Sequence, residues 1–172
     1  MLKETQKAVE KISALIVEEA KNNLTKSKKI ASGNLYNNIK PKALKVTNKS
    51  IESIITMPYY GAFIDKGVSG TETKYNTPYS YKDEKPPTSA FDKWSVVRGL
   101  APRDAKGRFI SRDSLKFALS NHIYKKGIKP TLFLTNAFRK YSNELLKNIE
   151  GAFFKDIEDA IEFNIKANLK DK

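Results

Sequence analysis

The chain has 172 residues, no cysteine, and 32 basic against 19 acidic side chains, which gives a net charge of +13. Its length fits one domain, and 40% apolar with 10% aromatic residues is enough for a modest core. The lack of cysteine excludes disulfides, thiolate metal sites and cysteine nucleophiles. Because no apolar run reaches the roughly 20 residues of a bilayer span and no signal peptide begins the chain, we expect a soluble protein made in a cytoplasm.

The first third of the chain predicts two helices and a β-hairpin. Apolar residues at helical spacing favour an amphipathic helix over 2–24, and Ser32 is placed to cap a short second helix. Alternation of apolar and polar residues predicts a hairpin over 42–57, with Asn48–Lys49 in its turn. The adjacent residues Ile54–Ile55 indicate a strand covered on both faces or a bulge.

Residues 59–67 predict a short helical turn after the hairpin. Tyr60, Phe63 and Ile64 recur at helical spacing and therefore share one face. Gly67 follows, and glycine readily adopts the left-handed conformation in which many helices end. Taken alone, this pattern is typical of a small amphipathic turn that caps a sheet.

Residues 68–86 lack a regular pattern but contain Tyr75, Tyr79 and Tyr81. A loop of this length inside a compact domain is more often functional or ordered by a partner than idle. Tyrosines suit a wet contact surface, so these three are candidates for an interface. The alternative is a flexible loop with incidental tyrosines.

Two further helices are predicted in the middle of the chain. The first runs from about 86 to 100, with Trp94 as its core anchor. The second covers 112–126, begins at a Ser111 cap and ends at a glycine. The only histidine, His122, falls on the apolar face of this second helix, so we expect a packed, hydrogen-bonded histidine rather than a catalytic one.

A long helix is predicted from about 132 to 169. Its apolar residues recur at four-residue steps, so the stripe drifts by about 40° per step around the axis. Gly151 is a point where the helix would kink or split. The part from Phe153 to Leu169 is too long to bury wholly on a domain of this size, and we expect some of it to pack on a neighbouring subunit.

No pattern typical of catalysis is present. The sequence lacks a carboxylate pair, a P-loop, a dinucleotide fingerprint and a serine elbow, so we expect no enzyme, no metal and no cofactor. Residues 98–129 hold the densest basic set, which favours either a patch that tracks DNA phosphates or a solvated face. The DNA-facing candidates are Arg98, Arg103, Lys106, Arg108, Arg112 and Lys116.

Three stretches in order, 31–35, 59–67 and 127–137, resemble the head–tail joining, or tail-completion, proteins of tailed phages. Two elements within 68–127 are also similar to neck proteins of phages that infect gut Bacteroidetes. The family shows a small residue–Gly–x–Leu step, an aromatic–small–x–aromatic–aliphatic–acid–x–Gly motif, and a proline before Phe–Leu–x–x–Ala. The family's small residue is usually alanine and its acid usually glutamate, and its proline lies nearer the phenylalanine. The matching residues are Ser32, Gly33 and Leu35, then Tyr60, Gly61, Phe63, Ile64, Asp65 and Gly67, then Pro130, Phe133, Leu134 and Ala137.

The predicted elements together make one α+β domain over 1–172: a small antiparallel sheet, an N-terminal helix across it, an inserted segment at 68–126 and a long C-terminal helix at 132–169. The resemblance implies a structural virion protein in the phage neck. It would form a ring of six or twelve copies, contact the portal or adaptor and the tail proteins, touch passing DNA transiently, and have no membrane partner. The assembly candidates are Tyr60, Phe63, Asp65, Tyr75, Tyr79, Tyr81, Phe133, Phe153 and Phe154. The alternative is a basic nucleic-acid-binding protein acting through 98–129; a metal-dependent nuclease is poorly supported.

Overall fold

The computed structural model describes residues 2–27, 30, 32–47 and 50–170, with only the backbone at 164, 165 and 167–170. The fold is α+β, as predicted, with a helix-rich chain and a small antiparallel β component. The helices are α1 (Lys3–Lys26), α2 (Asn34–Asn38), α3 (Gly61–Lys66), α4 (Asp92–Val97), α5 (Arg112–Lys126) and α6 (Phe133–Lys170). The strands are β1 (Lys40–Pro41), β2 (Lys45–Val46), β3 (Ile51–Glu52) and β4 (Ile55–Thr56).

The chain divides into two compact units. The first comprises Met1–Asn23, Ile39–Thr56 and Phe133–Lys172, and the second comprises Leu24–Asn38 and Met57–Leu132. The proposed single domain with an insertion at 68–126 stays a prediction. Within the described part of the chain, no helix is both long and apolar enough to cross a membrane.

In the first unit, α1 and α6 run antiparallel. Asn23 near the end of α1 donates a hydrogen bond from Nδ2 to the Phe133 carbonyl at the start of α6, at 3.0 Å. One turn earlier on α1, Glu19 pairs with Lys140 at 2.7 Å. The unit's fully buried side chains include Phe133 and Ile12, and burial of each such side chain stabilises the fold by about 1.5–3 kcal/mol.

The start of α1 is capped by a side chain from the far part of α6. The first N–H groups of a helix have no intrahelical partner. Asp156 accepts hydrogen bonds from the backbone N–H groups of Glu4 and Thr5 at 3.0 and 2.8 Å, and from the Thr5 hydroxyl at 2.7 Å. Burial raises the pKa of the Asp156 carboxyl, but these hydrogen bonds outweigh that effect and lower it. The carboxylate therefore acts as an N-cap of α1, although Asp156 lies about 150 residues from the start of that helix in sequence.

The predicted hairpin is present and carries a bulge. Lys40 lies opposite Thr56 in the β1–β4 pair, and Lys45 lies opposite Glu52 in the β2–β3 pair. Four residues separate Lys40 from Lys45 but only three separate Glu52 from Thr56. The ascending arm therefore holds one extra residue, which is the definition of a β-bulge.

The bulge is on the arm opposite the one that the sequence suggested. The predicted candidates, Ile54–Ile55, lie on the descending arm, and the predicted turn, Asn48–Lys49, lies outside the described residues. The hairpin is tied to α1 by a hydrogen bond between the hydroxyls of Ser13 and Ser53 at 2.6 Å. The N-terminal helix thus contacts the sheet, as predicted.

In the second unit, two backbone segments cross at very close range. Val68 and Ile128 exchange two backbone hydrogen bonds of 2.8 Å in an antiparallel bridge. Gly127 (φ +73°) and Gly67 (φ +75°) flank this bridge, both with ψ near 180°, a conformation that is essentially restricted to glycine. A Cβ on Gly127 would overlap the Val68 carbonyl and the backbone nitrogen of Gly70. Only glycine therefore permits this approach.

The loop at 68–86 is ordered by its own hydrogen bonds, centred on Ser69. The backbone N–H of Ser69 donates to the Tyr79 carbonyl, and its carbonyl accepts from the Tyr81 N–H. The buried Ser69 hydroxyl bonds both the carbonyl and the N–H of Tyr75, at 3.1 and 2.9 Å. The backbone at all three tyrosines is thus held within the chain itself.

The same loop caps the C-terminus of α5. The last carbonyls of a helix lack intrahelical donors. Here the N–H of Thr71 bonds the Tyr124 carbonyl, and the N–H of Glu72 bonds the Lys125 carbonyl, both at 2.9 Å. The Glu72 carboxylate pairs with Lys125 and Lys126 at 3.1 Å each, and hydrogen bonds from these two lysines lower its pKa.

Helix α5 has the predicted bounds, and Ser111 caps it by accepting a hydrogen bond from the Ser114 N–H at 3.2 Å. The predicted packing of His122 is wrong, since that residue is exposed. Ser120 is buried instead and donates to the Pro86 carbonyl at 2.6 Å. Because Ser120 and His122 lie about 200° apart around the helix, this contact turns the histidine outward.

Trp94 is not the core anchor that the sequence predicted. It is 37% exposed, whereas Phe91, at the end of a 3-10 turn that precedes α4, is buried. Helix α4 is also shorter than expected and ends at Val97. Helix α6, by contrast, continues through Gly151 without the predicted split.

A comparison of three glycines tests the backbone crossing. We expect Gly127→Ala to destabilise the fold by at least about 3 kcal/mol, because the strained φ and the overlap with Val68 act together. Gly107→Ala, at φ +79° with open space, should cost about 1–2 kcal/mol. Gly151→Ala, in the exposed interior of α6, should stabilise by about 0.5–1 kcal/mol. Urea unfolding followed by Trp94 fluorescence and circular dichroism gives the ranking; equal effects of all three would contradict the crossing.

The capping of α1 by Asp156 has its own test. We expect Asp156→Asn to lower the free energy of unfolding by about 1 kcal/mol at neutral pH, the usual value of an N-cap. Because the folded pKa of Asp156 lies below its ordinary value of 3.8, the difference between wild type and variant is present above pH 4 and vanishes as the carboxyl protonates. Asp159→Asn, an exposed neighbour on α6, is the control and should change little; an equal loss from it would remove the special role of Asp156.

Candidate assembly surfaces

The three sequence stretches that carry the resemblance meet around α3. The backbone of Gly61 at the start of α3 lies so close to Leu35 that an added Cβ would sit 2.9 Å from the leucine side chain. Next to this contact, Asn34 donates a hydrogen bond from Nδ2 to the Tyr60 hydroxyl at 2.9 Å. The first stretch therefore packs directly on the second.

The third stretch caps the other end of α3. The Thr131 hydroxyl and N–H both bond the Ile64 carbonyl, at 2.8 and 3.1 Å, and the Leu132 N–H bonds the Asp65 carbonyl at 2.9 Å. The Asp65 side chain is buried, with the Lys66 ammonium 3.8 Å away. The assembly candidate Asp65 is thus internal to its unit, and no local sequence pattern indicates this burial.

An aromatic cluster covers the outer side of α3. Phe63 meets the Tyr79 ring edge-on at a centroid distance of 4.7 Å, which attaches the 68–86 loop to the helix. Tyr59 is 84% exposed and lies edge-on to Phe63 and Tyr60 at 6.4 and 6.1 Å. Tyr59 was not among the sequence candidates, although Tyr60 and Phe63 were. The cluster presents half-buried aromatic rings at the surface of the second unit.

The remaining tyrosine candidates serve mainly to hold the loop. Tyr81 packs at 6.3 Å from Tyr124, and burial raises the pKa of Tyr81. The Tyr124 hydroxyl donates to the Lys82 carbonyl at 2.7 Å. Tyr75 is bound by Ser69 and is half-buried. These rings are partly available to a partner but do not depend on one for their position.

The second unit contains an apolar cavity of about 510 Å³. Two of its wall residues, Trp94 and Val97, are 37% and 53% exposed, so the cavity opens to the surface. Lys93 and Arg98 bring positive charge to the same wall. The sequence did not reveal this cavity, because its walls come from segments more than 100 residues apart. Its apolar lining is formed chiefly by Leu24, Leu35, Ile64, Phe91, Trp94 and Ile128.

Helix α6 carries an apolar stripe that the first unit leaves exposed. Leu146, Phe153 and Ile157 lie within about 40° of one another around the helix. Asp156, which faces α1, lies about 100° from Ile157, so the stripe is roughly a quarter turn from the packed side. Phe154 and Ile161 widen this set to about 100° around the helix. We call the five residues together the α6 stripe; its members are Leu146 (68% exposed), Phe153 (44%), Phe154 (59%), Ile157 (38%) and Ile161 (54%).

Phe133 differs from the other two phenylalanine candidates. It is fully buried in the first unit, and its carbonyl accepts the hydrogen bond from Asn23. Phe153 and Phe154 belong to the exposed α6 stripe. The structure therefore separates one core phenylalanine from two that are open to a partner.

Much of the basic set is engaged within the chain. Lys116 has a side chain that is 19% exposed, and it pairs with Asp92 at 2.7 Å and Asp113 at 2.8 Å. Hydrogen bonds to Asp113 and Asp92 raise the pKa of Lys116. Arg103 lies over the Phe109 ring at 3.8 Å and donates to a backbone carbonyl. These two cations therefore have fixed structural partners.

Arg108 is held by a turn that Asp104 organises. The Asp104 carboxylate accepts from the N–H groups of Lys106 and Arg108, both at 2.9 Å, and from the Arg108 guanidinium. These hydrogen bonds, the backbone one from Arg108 first, lower the pKa of Asp104. Of the six DNA-facing candidates, Lys106 and Arg112 are left as exposed cations in this region, and Arg98 lies on the cavity wall.

The Asp104 turn gives a prediction about pH. Because the folded pKa of Asp104 is lowered, its bond to Arg108 persists at neutral pH and is lost as the pH falls through that pKa. In NMR spectra we expect the chemical shifts of the Arg108 Nε–H group to change together with protonation of Asp104. The exposed Arg112 is the control and should show no such step. An Arg108 signal that shifts on addition of duplex DNA but does not change as Asp104 is protonated would contradict the internal pairing.

The described residues hold no group of three or more His, Asp or Glu side chains that could bind a metal ion. Comparison of the chain with protein-family models, with curated proteins and with solved structures finds no match. What these surfaces do is therefore inferred from their own residues and geometry.

Proposed function

We propose that this chain is a structural subunit that assembles with copies of itself into a ring of six or twelve members in the neck of a tailed phage. There it would join the portal or adaptor to the tail proteins around the DNA passage. The observation that carries the proposal is the α6 stripe: a long, well-formed helix with large apolar side chains left exposed. The phage class itself comes from the resemblance of the three sequence stretches.

Exposure of the α6 stripe to water is energetically unfavourable for a monomer. Soluble monomers rarely expose contiguous apolar patches larger than a few hundred Å². Burial of a Leu, Ile or Phe side chain is worth about 1.5–3 kcal/mol each, so covering even three members of the stripe supplies substantial binding energy. A contact repeated between every pair of neighbours around a ring multiplies this gain. The exposed stripe thus favours an oligomer over a monomer.

The arrangement around α3 supports the resemblance. The first two stretches pack on each other, and the part of the third stretch that precedes Phe133 caps α3, so these segments form one packed group in the second unit. Phe133, Leu134 and Ala137 of the third stretch belong to the first unit. Leu35 contacts Gly61, and Thr131 caps the helix at Ile64. A motif whose parts pack together has a physical reason to recur as a set. This packing supports the resemblance.

Contact with DNA is a secondary part of the proposal. The first 130 residues hold 25 basic and 12 acidic side chains, so the body of the protein attracts phosphates regardless of base sequence. Among the six DNA-facing candidates, Arg103, Arg108 and Lys116 have internal partners, whereas Lys106 and Arg112 are exposed cations. Such a surface is suited to transient contact with passing DNA rather than to tight, sequence-specific binding.

The proposal predicts that the wild-type chain forms a discrete oligomer at micromolar concentration, as measured by size-exclusion chromatography with light scattering. We expect Phe154→Glu with Ile157→Glu to give a monomer of 19.5 kDa with an unchanged circular dichroism spectrum, because charge in the stripe prevents its burial. The control variant is Asn148→Glu with Lys155→Gln. It changes the net charge equally on the opposite side of α6 and should assemble as the wild type does.

A different result would favour the alternative function. A wild-type chain that stays monomeric and binds duplex DNA with a steep dependence on salt would point to a nucleic-acid-binding protein acting through 98–129. In that case Lys106→Glu with Arg112→Glu should abolish binding, while the stripe variant binds normally. Oligomer formation with weak DNA binding would support the neck subunit.

A further inference from the structure

We infer that the α6 stripe of one copy docks into the apolar cavity of the second unit in the next copy, so that the ring is built from head-to-tail contacts. This inference rests on the proposed self-assembly and names the two surfaces that meet. Each copy carries one α6 stripe and one cavity, and the two are different surfaces. An interface between unlike surfaces leaves a free surface of each kind on the pair, so that further copies add until the ring closes.

The two surfaces match in shape and polarity. An amphipathic helix commonly binds by placing apolar side chains at i, i+3, i+4 and i+7 into a groove. Phe153, Phe154, Ile157 and Ile161 have spacings of this kind along α6. The cavity offers about 510 Å³ with a mainly apolar lining, and Trp94 gives it an aromatic wall that is open to the surface. An aromatic wall of this kind is typical of sites that dominate binding energy.

The chain segments that carry the two surfaces have opposite net charge, and Lys93 and Arg98 lie on the cavity wall itself. Residues 144–162 around the stripe hold six acidic and two basic side chains. Residues 92–117, which begin with α4 and include its cavity wall, hold seven basic and three acidic side chains. Opposite potentials steer two surfaces together and penalise contacts between like surfaces. Stripe-to-stripe pairing would bring acidic segments together, so charge favours the stripe-to-cavity arrangement and a second copy as the occupant.

The exposed apolar residues beside the cavity extend the proposed contact. Val96 is 55% exposed and Leu100 is 43% exposed, both on or directly after the helix that lines the cavity. Val97 reaches both the cavity and the surface. A helix whose apolar side chains entered the cavity would therefore cover the apolar side chains on the rim of the cavity as well as those in its interior. The rim cations Lys93 and Arg98 would then lie near the acidic residues that flank the stripe.

The test mixes two full-length variants, each with one surface disabled. The stripe-minus chain carries Phe154→Glu with Ile157→Glu and keeps Trp94, which is the only tryptophan. The cavity-minus chain carries Lys93→Glu and Val97→Glu, both at exposed positions, with Trp94→Phe to silence its fluorescence. Circular dichroism establishes that both chains fold. Each variant alone should be monomeric, whereas the mixture should give a complex of one copy of each.

Trp94 reports on the contact directly. On mixing, its emission should shift to shorter wavelength, because only the stripe-minus chain is fluorescent and its cavity receives the stripe of the cavity-minus chain. A cavity-minus chain that assembles as the wild type does would overturn the inference while leaving the proposed ring intact, since the stripe would then bind elsewhere or to another protein. A wild-type chain that is monomeric, with no shift on mixing, would overturn both.

Discussion

The second unit depends on the crossing of residues 67–70 with 127–130. The bridge between Val68 and Ile128 brings two backbones so close that side chains on the flanking glycines would overlap them. This crossing places the end of α3 beside Thr131, and it places the loop that follows Gly70 beside the end of α5. The termini of two helices are therefore capped by segments that the crossing itself positions. Without it, neither the aromatic cluster nor the cavity wall would have a fixed geometry.

This construction stabilises the unit with backbone hydrogen bonds as much as with a core. Among its described residues, the buried apolar side chains are few: Leu24, Leu35, Val68 and Phe91. Each mutual capping bond contributes about 0.5–1.5 kcal/mol, and the several that converge here form a connected set. Because the backbone carries so much of the fold, apolar side chains such as Trp94 and Val97 are left for a cavity and its rim. A rigid frame with an open apolar site is what a repeated docking contact requires.

Elements with local signals could be predicted from the sequence, whereas those set by distant contacts could not. The bounds of α5 follow from Ser111 and Gly127, which act within one turn of the helix, and the hairpin follows from its alternation. The cap that Asp156 provides for α1 joins residues about 150 positions apart, so no local sequence pattern predicts it. The predicted burial of Trp94 and of His122 was wrong for the same reason. Tertiary contacts, rather than a clear apolar stripe, determine which side of each helix faces inward.

The distribution of charge bears on how such subunits would join two unlike partners. A ring in which every contact is head to tail has two different faces, whereas contacts between identical surfaces produce pairs related by a two-fold axis. A connector between a head and a tail needs different faces, because it meets a different protein on each side. The acidic segment around the α6 stripe and the basic segment around α4 supply the required asymmetry within one chain. Under the proposed head-to-tail contact, the positive excess of this sequence would orient neighbouring copies without binding DNA.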